Sequence, residues 1–112
     1  MANIIIDLNK FVNAQSKTLF AGRANGQRAA EQFRVSEFDK ESGDTITFKI
    51  ASGIVVSSSY YLGMLESILP KFSSSKEFYA HVQVDGKKYE LGMMKELERA
   101  IERGLYKNES FF

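Results

Sequence analysis

Gly53-Ile-Val-Val-Ser-Ser-Ser-Tyr-Tyr-Leu-Gly-Met-Leu65 runs from a β-branched stretch through three consecutive serines into a second apolar stretch. Ile54, Val55 and Val56 suit a strand, where branched side chains pack well on a pleated surface. Beyond the serines, Leu62, Leu65, Ile68 and Leu69 recur at helical spacing and form an inner face, and Pro70 should end that helix. The segment therefore reads as a strand feeding a helix, with Ser57, Ser58 and Ser59 at the junction. A serine oxygen there can accept a hydrogen bond from an orphan backbone N–H, and the start of the apolar period puts that cap at Ser58 or Ser59. One cap accounts for one serine. The same helix start offers N–H groups and partial positive charge to an anion, so the remaining serines mark a candidate site for binding or modification.

Working outward, Thr45-Ile-Thr-Phe-Lys-Ile50 alternates apolar and polar residues after a turn at Lys40-Glu-Ser-Gly-Asp44, which predicts a strand. Over residues 23–35, Gly26, Ala29, Ala30 and Phe33 fall at i, i+3, i+4 and i+7. That pattern predicts a helix whose small-residue face lies close to a sheet, leaving Arg23, Gln27, Arg28, Glu31 and Arg34 outside. Residues 3–8, with Ile4, Ile5 and Ile6, predict a short strand buried on both faces. Residues 11–21 show no clear period and read as a loop or a weak strand around residues 18–20.

Residues 77–84 and 87–91 flank Asp85-Gly86, the dipeptide that tolerates two successive positive φ angles, and predict an antiparallel hairpin. Residues 92–103 place Met94, Leu97 and Ile101 on one helical face, with Gly104 as the expected stop. The order implies an α/β fold: a mixed sheet of four to five strands with about three helices, the crossover from strand 45–50 to strand 77–84 being parallel and right-handed.

The chain has 112 residues, enough for one core, so residues 1–112 are expected to form a single domain. Fifteen Lys and Arg against fourteen Asp and Glu leave a net charge of +1, with no broad electrostatic reason to favour nucleic acid or an anionic membrane. Cysteine is absent, which removes disulfides, thiolate metal ligands and a cysteine nucleophile, and makes the cytosol the default expectation. The opening Met-Ala-Asn-Ile-Ile-Ile-Asp7 reads as a strand rather than a leader or membrane span.

Catalytic and cofactor signals are thin. His81 is the only histidine and lies in a predicted strand, so neither a metal site nor a Ser-His pair is expected around it. Asp7, Asp39, Glu41, Asp44 and Glu66 are dispersed, with no spacing that a local element would bring together for acid–base work. Gly22-Arg-Ala-Asn-Gly26 has a glycine at each end like a phosphate cradle, but lacks a Lys-Ser or Lys-Thr and a third glycine; an entry turn and close packing explain it better. Arg23, Arg28 and Arg34 do not share one stripe, which favours a solvated face over a nucleic-acid groove. No cofactor or metal is expected.

The hydrophobic strand end, the serine pair and the apolar helix containing Gly63 resemble the STAS domains of anti-sigma-factor antagonists, whose usual motif is Asp-Ser-Ser-Gly-Leu-Gly. Arg23-Ala-Asn-Gly-Gln-Arg-Ala-Ala-Glu-Gln-Phe33, Thr45-Ile-Thr-Phe-Lys-Ile50 and Val55-Val-Ser-Ser-Ser-Tyr-Tyr-Leu62 are closer still to bacterial STAS-like domains of unknown function. The resemblance spans roughly residues 18–69. It implies that Ser57 stands where the STAS aspartate would be and Ser58 where the phosphorylated serine would be. The acidic residue is absent and Tyr60 replaces the following glycine, so the resemblance implies a docking surface rather than a phosphoswitch.

The expected function is a non-enzymatic regulatory or adaptor domain that binds a partner protein through the second helix and the Ser57–Ser59 turn. Tyr60, Tyr61 and Met64, off the helix's inner face, are expected to contribute to that interface. The resemblance implies bacterial or phage origin and an ATPase or kinase-like partner. The alternative is a small inhibitor, phage-encoded in one version, that blocks a nucleic-acid enzyme or defence complex with the same surface. A third reading makes a serine at the helix start an enzyme's nucleophile. Phe111-Phe112 and some of the methionines are additional apolar bulk beyond what a small core requires.

Overall fold

The structure, a computed structural model, describes residues 2–11 and 18–106. Strands β1 (Asn3–Asp7), β3 (Thr45–Lys49), β5 (Val82–Val84) and β6 (Lys87–Lys88) form a four-stranded mixed sheet in the order β1-β3-β5-β6. β1, β3 and β5 are parallel, and β6 adds an antiparallel edge. A separate two-stranded parallel ladder joins β2 (Leu19–Phe20) to β4 (Val55–Val56). The helices are α1 (Arg23–Phe33), α2 (Ser58–Leu65), α3 (Ser75–Tyr79) and α4 (Lys95–Tyr106). The predicted α/β class, the parallel β3–α2–β5 crossover and the hairpin are all present. At the hairpin tip Asp85 and Gly86 both take positive φ, 50° and 82°.

Several boundaries differ from expectation for identifiable reasons. Only one face of β1 is buried: Ile6 is fully enclosed, whereas Ile5 is 43% exposed on the opposite face. The three isoleucines therefore follow ordinary strand alternation and not burial on both sides. The expected strand over 77–84 starts only at Val82, because Ser74 opens α3: its hydroxyl accepts from the Glu77 N–H (3.1 Å) while the Glu77 carboxylate accepts from the Ser73 N–H (2.8 Å). This is close to a Ser-x-x-Glu capping box, a signal present in Ser74-Ser-Lys-Glu77. The strand expected over 87–91 shortens to two residues, and the last helix starts later and continues through Gly104.

α2 is the centre of the fold. It packs on α1 and on α4 and reaches the sheet through Tyr61, whose ring stands edge-on to Phe48 at 5.9 Å. The expectation that the Gly/Ala face of α1 would approach a sheet is corrected here, since its closest neighbour is α2. A Cβ on Gly26 would lie 2.0 Å from the Tyr60 carbonyl oxygen, so any side chain there would force the backbones apart. The outer residues of α1, Arg23, Gln27, Arg28, Glu31 and Arg34, are exposed as predicted. The predicted terminal Phe111-Phe112 pair and most of the unassigned 11–21 stretch lie outside the described residues.

Candidate binding site at the serine turn

β4 ends at Val56, and the chain turns into α2 through Ser57, which takes extended backbone angles and is the N-cap. Its hydroxyl accepts from the Tyr60 N–H (3.2 Å), and its own N–H donates to the Phe20 carbonyl (2.9 Å), fastening the turn to β2. The cap is thus Ser57, one residue before the expected Ser58 or Ser59, because two serines enter the helix ahead of its apolar run. Ser58 and Ser59 occupy the first two helical positions, are half-buried, and make no side-chain hydrogen bond among the described residues.

Tyr60, Tyr61 and Met64 are core residues, 2%, 4% and 0% exposed, and the expectation that they form an interface is corrected. An inner stripe is a sound guide for a helix with one buried side. α2 has neighbours on several sides, so the residues flanking its stripe are enclosed too. Tyr60 packs edge-on against Phe20 at 5.6 Å. Burial, with the negative charge of Glu96 adding to it, pushes the Tyr61 hydroxyl pKa well above its ordinary value.

What remains accessible beside the serines is the β2–β4 ladder. Leu19 and Val55 are partners in register and are 58% and 60% exposed, while Phe20 and Val56 point inward. Sequence reasoning missed this pair, although the alternation within Leu19-Phe20 and Val55-Val56 carries the signal once the two segments are known to pair. The ladder leads into both α1 and α2, so their starts lie side by side.

Charge around the site is largely committed. Glu66, at the end of α2, accepts from Arg23 Nε (2.8 Å), from Arg23 Nη2 and from Gln27 Nε2, which ties the first two turns of α1 to α2. Gly22 is the N-cap of α1 at φ 93°, and the Asn25 amide donates to the Ala21 carbonyl (2.9 Å). The Gly22–Gly26 stretch is therefore an entry turn and a packing glycine. His81 lies away from the serine turn's hydrogen bonds: its Nδ1 is 2.9 Å from the Asp44 carbonyl oxygen and its ring packs on Phe38 and Phe72. Among the described residues no group of three or more His, Asp or Glu is placed to hold a metal, and no helix is long and apolar enough to cross a membrane. Comparison with family models, with curated proteins and with solved structures finds no match.

Proposed function

We propose that this chain is a non-enzymatic, STAS-like regulatory or adaptor module that binds a partner protein at the serine turn and the β2–β4 ladder. The observation that carries the reading is the adjacency of two well-exposed aliphatic side chains, Leu19 and Val55, to the half-buried Ser58 and Ser59 at the start of α2. Aliphatic residues in register offer area to a partner without needing to reorganise, and serine hydroxyls lacking internal partners offer hydrogen bonds beside them. The burial of Tyr60, Tyr61 and Met64 moves the proposed surface off the body of α2 and onto its first turn. The resemblance to STAS-like domains supports a protein partner, of ATPase or kinase-like type.

The test is affinity capture from the native cell with three baits: wild type, the Leu19→Ser/Val55→Ser double variant, and Arg103→Ser on the exposed side of α4. A protein retained in stoichiometric amount by wild type and Arg103→Ser but lost from the double variant supports the reading. Equal retention by all three, with all three folded, would sink it.

A further inference from the structure

The four-stranded sheet has two edges, and they are built differently. β6, at one end, presents Lys87 and Lys88, both exposed. Lysine on an edge strand resists pairing with another chain. β1, at the other end, is Asn3-Ile-Ile-Ile-Asp7, with no lysine, arginine or proline and an unbroken register against β3. Its outward hydrogen-bonding groups are free. The Thr45 N–H donates to the Ala2 carbonyl (2.9 Å) and the Leu8 N–H to the Lys49 carbonyl (3.2 Å), so the even-numbered residues of this strand turn their backbone groups to β3. Alternation then aims the backbone N–H and C=O of Asn3, Ile5 and Asp7 off the sheet, and these groups have no partner among the described residues.

The side chains of those residues stand on one face, with Ile5 43% exposed at its centre. Asn3 Oδ1 accepts from the hydroxyls of Thr45 (3.0 Å) and Thr47 (2.8 Å), which leaves its NH2 group as a donor beside the edge. Asp7 commits Oδ1 to the Asn9 N–H (3.1 Å) and keeps its other oxygen as an acceptor. An antiparallel strand centred on Ile5 places Asn3, Ile5 and Asp7 all in pairs that exchange both backbone hydrogen bonds. When that strand is the β1 of another copy, Ile5 meets Ile5, Ile4 meets Ile6, and the Asn3 amide meets the Asp7 carboxylate at both ends. No like charges are opposed, whereas a register centred on Asp7 would set carboxylate against carboxylate. The strand is complementary to itself in the register that uses every free backbone group.

We propose that β1 pairs with the β1 of a second copy, antiparallel about a two-fold axis at Ile5, and so continues the sheet across a dimer. The contact uses none of Leu19, Val55 and the serines and does not rest on the partner reading. One short strand is a small interface, so the expected Kd is about 10 to 500 µM, read by sedimentation equilibrium up to about 1 mM chain. Amide exchange at Asn3, Ile5 and Asp7 should slow across the same concentration range. Ile5→Lys sets two lysines against each other at the axis, and Asn3→Asp opposes carboxylates at both ends; each should weaken association roughly fivefold or more. The double variant Asn3→Asp/Asp7→Asn exchanges the two groups and should restore it. Asp and Asn both offer an oxygen to the Thr45 and Thr47 hydroxyls and to the Asn9 N–H, so these variants should keep the wild-type fold when dilute. A chain still monomeric at about 1 mM, well above the expected Kd, would overturn the proposal. So would a dimer in which those amides exchange as in the monomer, or one that Asn3→Asp leaves unchanged or the double variant fails to restore.

Discussion

Gly26 and Gly63 lock α1 to α2 by a reciprocal contact: each faces the backbone carbonyl that lies three residues before the other, Gly26 that of Tyr60 and Gly63 that of Arg23. A Cβ at either site would sit 2.0 Å from that oxygen. The glycine Cα–H bonds point at carbonyl oxygens, a geometry that contributes weakly in itself but permits extensive backbone packing. Gly26→Ala and Gly63→Ala should each cost about 3 kcal/mol or more in chemical denaturation, since backbone rather than a side-chain tip must yield. Gly53→Ala is the comparison: it has open space but a φ of 94°, so it should cost about 1 kcal/mol of strain. Equal losses at Gly26 and Gly53 would show that the close crossing is absent.

Gly104 lies inside α4, where a Cβ would meet Leu69 Cδ1 at 2.3 Å and Leu62 Cδ1 at 3.2 Å. Both are ends of flexible side chains, and alanine favours the helix over glycine by about 1 kcal/mol. Gly104→Ala should therefore leave stability within about 1 kcal/mol of wild type, the rotamer cost at Leu69 offsetting the propensity gain. A loss as large as that at Gly26 would mean that Leu69 cannot move.

The serines should separate by role. Ser57→Ala removes the cap and should cost about 1 kcal/mol, whereas Ser58→Ala and Ser59→Ala should stay within roughly 0.5 kcal/mol in thermal melts. Ser58→Asp places a negative charge in the first turn, which has no acidic residue, and should fold at least as stably as wild type. If the proposed surface is right, the same variant weakens partner binding in a titration; unchanged affinity would confine the serines to structure.

Arg34 ends α1 in the left-handed conformation at φ 59°, its N–H donating to the Ala30 and Glu31 carbonyls. The side chain is exposed, so replacing it loses no buried contact. Arg34→Gly should raise stability by about 0.5 to 1 kcal/mol by relieving the Cβ clash that the conformation imposes. A fall in the denaturation midpoint would show that the arginine makes a contribution the backbone does not reveal.

Asp44 joins the start of the chain to the loop before β3. The backbone N–H groups of Ala2 (2.7 Å) and Asp39 (2.9 Å) donate to its carboxylate and hold its pKa below the ordinary value. A depressed carboxylate stabilises fully above the unfolded-state pKa of about 3.9 and loses that contribution as pH falls through the folded value. Asp44→Asn should thus melt below wild type near neutral pH, and the gap should narrow on acidification. A gap independent of pH would assign the effect to packing.

How much of this was legible follows from what periodicity encodes. A period of two points to Ile46 and Phe48 as the inward face of β3, but not to the burial of Thr47 on the other face, which is 3% exposed because β3 is a central strand. The spacing of Gly26 and Ala29 names the covered side of α1 but not its cover, which is α2 and not a sheet. Stripe logic assumes a helix with a solvent side, and α2 is enclosed at Tyr60, Tyr61 and Met64, which lie off its stripe. α3 was missed because Phe78 and Tyr79 favour strands, and the local hydrogen bonds of Ser74 and Glu77 outweighed that preference. The Leu19–Val55 pair depends on long-range pairing, which no local pattern reports.

The spacing of strand partners has a kinetic consequence. Leu19 pairs with Val55 and Ile46 with Val82, each 36 residues apart, and Asn3 pairs with Thr45 across a still longer interval. Only the β5–β6 hairpin closes locally. Each long loop must lose its freedom before its ladder returns any stabilisation, so the transition state has to gather distant segments at once. The glycine crossing spans a similar interval, joining α1 to α2. The crossing and the β2–β4 ladder beside it join the same two stretches of chain, so closing one of these intervals brings the partners of the other together.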